Sequence, residues 1–209
     1  MTRRFLFTLM LGLGIAAGSA SAAPLTYLVS VATPDFGVTG WIDLSFNQAN
    51  AADSLSANAS ISNFVQSGYT FDGVTQTTTP GVTGDLASPP LVIPNDQGPA
   101  NYYSQHVVNW GSFFGFMVVF SGPAVGTPAF DGSAFRVTLF DENFIPLVSP
   151  LDGGEVANIT IDTDGSLSST GSSFAGGGAS VAAVPEPGTM SAIFGLVGLA
   201  GFYWRRQRA

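Results

Sequence analysis

The chain has 209 residues, with six Arg, no Lys and no Cys against fourteen Asp and Glu, for a net charge of −8. The absence of Cys excludes disulfides, thiolate catalysis and Cys-ligated zinc. Residues 23–184 hold thirteen of the acids and a single Arg, Arg136. That field repels phosphate backbones and argues against nucleic acid as a partner.

At the front, Arg3 and Arg4 precede a largely apolar run from Phe5 to Ala17. The run is too short to span a bilayer comfortably, and small residues follow it. Ala20 and Ala22 fit the small pockets of signal peptidase, so a cut after Ala22 is expected, with Ala23 as the new N-terminus. Residues 1–22 therefore read as a signal peptide.

Residues 23–164 read as one domain of many short strands. Leu25–Ala32 is the first. Val38–Phe46 follows, with Trp41, Asp43 and Ser45 on one face and Ile42, Leu44 and Phe46 on the other. Ser60–Val65 is a third. Residues 75–99, rich in Thr, Pro and Gly, read as a surface excursion with one edge strand. Tyr102–Gln105 reads as a loop entering a strand.

Phe113–Ser121 is the most apolar run, expected to be central and buried on both faces. With Ala134–Phe140 and the intervening loop it reads as a long hairpin. Ile145–Val148 and Val156–Ile161 continue the strand pattern, and Arg136 is expected to pair with a surface acid such as Asp141 or Glu142. Asp-Gly pairs at 72, 131, 152 and 164 mark turns. The expected fold is all-β, an antiparallel β-sandwich of jelly-roll or immunoglobulin-like winding, flanked by the signal peptide and a C-terminal transmembrane helix. Residues 165–184, rich in Gly, Ser and Ala, read as a flexible linker with room for a last short strand near Phe174.

Inside the domain, the chemistry has few candidates. His106 is the only His, so a Ser-His-Asp triad or a His-based metal site would depend on it. Asp162 and Asp164 resemble part of a calcium loop, but Ser173 stands where the closing Glu belongs. No cofactor is expected, with calcium the one alternative. A carboxylate pair for glycoside hydrolysis is disfavoured because the acids sit mainly in turns. Trp41, Tyr102, Tyr103 and Trp110 could form an aromatic platform for carbohydrate, although aromatics in a β domain more commonly pack a core.

The last 25 residues are the most specific stretch. Pro185, Glu186 and Pro187 forbid helix and hold the chain extended. An uncharged run over about 188–204 follows. As a helix it spans about 26 Å, slightly under the roughly 30 Å hydrocarbon core. Tyr203 and Trp204 suit an interfacial belt, and Arg205, Arg206 and Arg208 form a basic tail (205–209) expected to stay on the cytoplasmic side.

This order of Pro-Glu-Pro, apolar helix and Arg cluster resembles the PEP-CTERM sorting signal of Gram-negative envelope proteins. The resemblance implies a substrate of exosortase, a membrane protease that acts near the Pro-Glu-Pro, often in bacteria making exopolysaccharide. The domain's Trp-Gly-Ser-Phe-Phe-Gly-Phe, Ser-Ala-Phe-Arg-Val-Thr-Leu-Phe-Asp and Asp-Thr-Asp-Gly-Ser stretches look similar to an uncharacterised group of such proteins.

The resulting expectation is a non-catalytic, exported surface or matrix protein. It would be held in the inner membrane with its domain in the periplasm, then processed toward the cell surface or medium. A carbohydrate-binding module associated with exopolysaccharide is the alternative, and a glycoside hydrolase a more distant one.

Overall fold

A computed structural model of the chain describes residues 25–49, 55–77, 81–95, 101–128, 132–148 and 154–185. The signal peptide, Glu186, Pro187, the apolar run over 188–204 and the Arg cluster lie outside the described residues. Among the described residues there is no helix. Twelve strands form two antiparallel sheets of six, which makes the fold an all-β sandwich.

The strands are β1 (Leu25–Ala32), β2 (Gly40–Gln48), β3 (Asn58–Ser67), β4 (Thr75–Thr77), β5 (Leu91–Pro94), β6 (Tyr102–Val107), β7 (Phe113–Ser121), β8 (Ser133–Asp141), β9 (Glu155–Ile161), β10 (Leu167–Gly171), β11 (Ser173–Phe174) and β12 (Gly177–Val184). Sheet I runs β11-β12-β1-β7-β3-β5 and sheet II runs β10-β9-β8-β2-β6-β4. From β1 to β7 the chain crosses between sheets at every connection, the winding of a jelly roll rather than of paired hairpins.

Period-two alternation decides which side chains meet between the sheets. Val29 and Val31 of β1 point inward, as do Ile42, Leu44 and Phe46 of β2 and Phe135, Val137 and Leu139 of β8. Rings from both sheets interlock there. Phe46 lies 5.5 Å from Phe120 and 6.5 Å from Phe135, and Phe135 lies 6.2 Å from Phe116, all edge-to-face. Each fully buried Phe contributes about 1.5–3 kcal/mol. Buried Asn95 ties the layers together: its Oδ1 accepts from the Ala57 amide, and its Nδ2 donates to the Leu55 carbonyl and to Ser133 Oγ. These bonds offset the cost of taking the amide out of water.

Five expectations are corrected. β7 is central, between β1 and β3, but it alternates: Phe114, Phe116, Val118 and Phe120 are buried while Met117 and Val119 are half-buried. β7 and β8 are not a hairpin, because they lie in different sheets and the connection crosses the sandwich. Ile145–Val148 forms no strand. Asp141 starts a tight turn there, and only an isolated bridge between Phe140 and Pro146 remains. Tyr102–Gln105 is strand β6 rather than a loop.

The fifth concerns residues 165–184, which are not a linker. They carry β10, β11 and β12, and β12 pairs with β1 from Ala32↔Gly178 to Thr26↔Val184. The small residues that suggested flexibility permit close approach. A Cβ at Gly177 would strike the Ala32 carbonyl and the Phe174 ring, and one at Gly171 would strike the Ala179 carbonyl. The folded domain therefore extends to Val184, the residue before Pro185.

Candidate functional site

Sheet II turns the alternate side chains of its strands outward, and the register groups them in rows. Trp41 of β2 stands between His106 of β6 and Phe140 of β8. One row along, Asp43 stands between Ser104 and Thr138, and Ser104 faces Gln76 of β4. In the next, Ser45 stands between Tyr102 and Arg136. Directly opposed residues of an antiparallel pair share a face, so residues far apart in sequence meet on one surface.

Asp43 sits at the centre of that surface. Its Oδ2 accepts a 2.7 Å hydrogen bond from Ser104 Oγ. Burial pushes its carboxyl up to about 6, and the Ser104 hydroxyl only partly offsets this. Around Asp43 lies a groove of about 460 Å³, lined by Asp43, Ser45, Asn47, Gln76, Tyr102 and Ser104 with Phe140 and Phe144. A second concavity of about 540 Å³ adjoins it through Asn47 and continues past Arg136 and Thr160 to Asp162.

Phe144 enters from the turn after β8. Asp141 builds that turn: its Oδ1 accepts from the Asn143 and Ile145 amides, both at 2.8 Å, and its carbonyl accepts from the Phe144 amide. Phe144 consequently sits at φ +58°, in the left-handed region that a bulky residue rarely occupies. Its ring stacks on Trp41 at 5.5 Å with planes 12° apart, and the residue is still 44 % exposed.

His106 stands beside Trp41, one row from Asp43. Its Nδ1 lies 2.7 Å from Asp72 Oδ2 and its Nε2 2.6 Å from Glu142 Oε1. Burial opposes its charge, but the hydrogen bonds and charges of Glu142 and Asp72 outweigh this and raise the imidazole above its usual value. Asp72 is held low mainly by the Val74 amide, and Glu142 mainly by a hydrogen bond from Thr39 and then by His106. With each ring nitrogen against a carboxylate oxygen, His106 bridges two loops, the pairing favours its protonated form, and neither nitrogen is open to a substrate.

The aromatic platform expected from Trp41, Tyr102, Tyr103 and Trp110 does not assemble. Tyr103 is 1 % exposed in the core, and Trp110 is 5 % exposed against Phe36 and Tyr69. Trp41 is 6 % exposed under Phe144 and His106. Only Tyr102 reaches the groove. Trp41 Nε1 and Trp110 Nε1 have no hydrogen-bond partner among the described residues.

Arg136 does pair with an acid, as expected; the partner is Glu155, at 3.3 Å. Asp164 caps its own turn by accepting from the Ser166 amide, and these Ser166 bonds hold its carboxyl low. Asp162 lines the second concavity, away from that cap. Among the described residues no three His, Asp or Glu side chains cluster as metal ligands. The sequence reading missed Phe144. Its one legible trace is the Asp-Glu-Asn turn before it, which tells nothing of the ring's stacking.

Pro185 follows Val184 directly at the end of β12. Residues 183–208 match the PEP-CTERM protein-sorting motif, so the match begins inside the last strand, where Ala183 pairs with Tyr27. No curated protein matches the chain, and no solved structure does.

Proposed function

We propose that this chain, an exported protein that carries a PEP-CTERM motif and is sorted by exosortase, is a non-catalytic β-sandwich of the cell surface or extracellular matrix. The observation that carries this reading is the motif match over residues 183–208, continuous with strand β12. Signal peptidase removes residues 1–22. The apolar run over 188–204 and its Arg cluster hold the domain at the outer side of the inner membrane. Exosortase then acts near Pro185, Glu186 and Pro187.

The acids support a structural role. Asp35, Asp72, Asp85, Asp141 and Asp164 each accept backbone amides in turns. The one imidazole is engaged at both nitrogens.

Intact mass of the mature protein tests the sorting step. In cells with exosortase, the mass should correspond to a chain starting at Ala23 and ending near residues 185–187. In cells without it, or with Glu186→Ala, the mass should include the tail. Equal masses in both strains would refute exosortase processing. Incubation of the protein with sugar polymers, followed by analysis for released sugars, tests the non-catalytic part, and turnover would overturn it.

A further inference from the structure

We propose that the groove on the outer face of sheet II, floored by Asp43, Ser45, Asn47 and Gln76 and walled by Tyr102 and Phe144, binds a neutral saccharide. The inference rests on the non-catalytic reading only in that the sugar leaves unchanged, and it is independent of exosortase sorting.

A pyranose ring presents an apolar C–H face and an edge of hydroxyls. The groove offers partners for both. Phe144, Phe140 and Tyr102 supply ring surface, and Asn47, Gln76 and Ser45 supply neutral donors and acceptors. Asp43 adds one strong acceptor. Its Oδ2 accepts from Ser104, and the residue lines the groove. A few placed polar groups among aromatic walls are the usual make-up of a small-molecule site.

The backbone supplies an independent sign. Phe144 occupies the left-handed region, which Asn or Gly would fill without strain. Four hydrogen bonds around Asp141 hold it there, and the ring it displays stays half in solvent at the rim of the groove. Strain retained in a turn whose product is an exposed aromatic ring is a mark of a binding site.

Charge selects the class of sugar. Arg136 is the sole Arg or Lys of residues 23–184, and its guanidinium is paired with Glu155 in the neighbouring concavity. With Asp43 in the floor, the groove repels uronates and sulfated sugars. Neutral hydrogen-bonding groups outnumber the one carboxylate, which favours hydroxyls over an ammonium group. Because the two concavities share Asn47, the surface has length for an oligosaccharide.

The test uses the full-length chain in a detergent without a sugar headgroup. The probes are immobilised neutral oligosaccharides built from glucose, galactose, mannose, xylose or N-acetylglucosamine, with polyuronate, heparin and polylysine alongside. At least one neutral glycan should be retained, tetramers more tightly than monomers, and the charged polymers should not be. Asp43→Ala and Phe144→Asn should each weaken retention about tenfold or more, the loss expected for one charged hydrogen bond or one stacking ring. Asn suits the left-handed position, so that variant keeps the turn. Leu28→Ala, on the opposite sheet, should bind as wild type. Melting curves should show all three variants folded.

Retention of no neutral glycan would overturn the proposal. So would retention that survives both groove substitutions in folded protein, and so would capture by polyuronate or polylysine instead. Release of shortened sugars would refute the non-catalytic reading while leaving the groove as the binding site.

Discussion

Replacing Asp43 with Asn should make the protein more stable at neutral pH. The carboxyl titrates near 6 in the folded chain against 3.8 in the reference state, because burial disfavours its charge. Two units at 1.36 kcal/mol each amount to about 3 kcal/mol.

The sign follows from proton binding. Between about pH 4 and 6 the folded state binds the extra proton, so stability falls as pH rises through that window. Above pH 6 the whole penalty is present, and below about pH 4 it is gone. Asn is isosteric and uncharged, and its amide oxygen can still accept from Ser104. Its amide protons are buried as the carboxylate was, and their desolvation takes back about 1 kcal/mol of the gain. A net gain of about 2 kcal/mol at pH 7.5 corresponds to a rise in Tm of about 4–8 °C for a chain of this size.

Thermal melts of the full-length chain and of Asp43→Asn, from pH 3.5 to pH 8, read this directly. The other carboxylates and His106 are common to both proteins and cancel in the difference. The gap should be widest above pH 6 and close toward pH 4. Equal stability at pH 7.5, or a gap independent of pH, would refute the assignment of Asp43 as a buried and poorly compensated charge. If the groove binds sugar, the substitution would also show stability and function in opposition at one residue.

His106 should titrate above 6.5 by NMR, and Glu142→Gln or Asp72→Asn should each lower its midpoint. Its stabilising contribution should be complete below pH 6.5 and lost as pH rises through the folded-state value, a dependence absent in His106→Gln. A midpoint at or below 6.5 would contradict the two-carboxylate bridge. Proline substitutions test the last strand. The Ala179 amide donates to Ser172, away from β1, so alternation turns the Val181 amide outward and the Ala182 amide toward Leu28. Ala182→Pro should therefore lower Tm clearly more than Val181→Pro, and equal losses would show the register to be wrong.

Local alternation was enough to place β1 over Leu25–Ala32 and to separate Ile42, Leu44 and Phe46 from Trp41, Asp43 and Ser45. Composition misled at residues 165–184, where Gly, Ser and Ala carry no hydrophobic period. Those residues form strands because β9 and β1 offer ladders of backbone partners to β10 and β12, and Gly171 and Gly177 allow the close approach. The supposed hairpin of β7 and β8 failed for a related reason: two apolar runs joined by a loop look alike whether they pair with each other or face each other across a core.

The sorting motif at residues 183–208 is a linear signal legible without the fold, and the strand periods are properties of neighbouring residues. Which strands are neighbours follows from the folded arrangement alone. It gathered Gln76, Tyr102, Phe144 and Asp43 around one groove and joined Val184 to Thr26. Burial, the raised carboxyl of Asp43 and the stacking of Phe144 on Trp41 all arise from contacts between segments tens of residues apart. Those contacts depend on how the two sheets wind around one core, which no local pattern encodes.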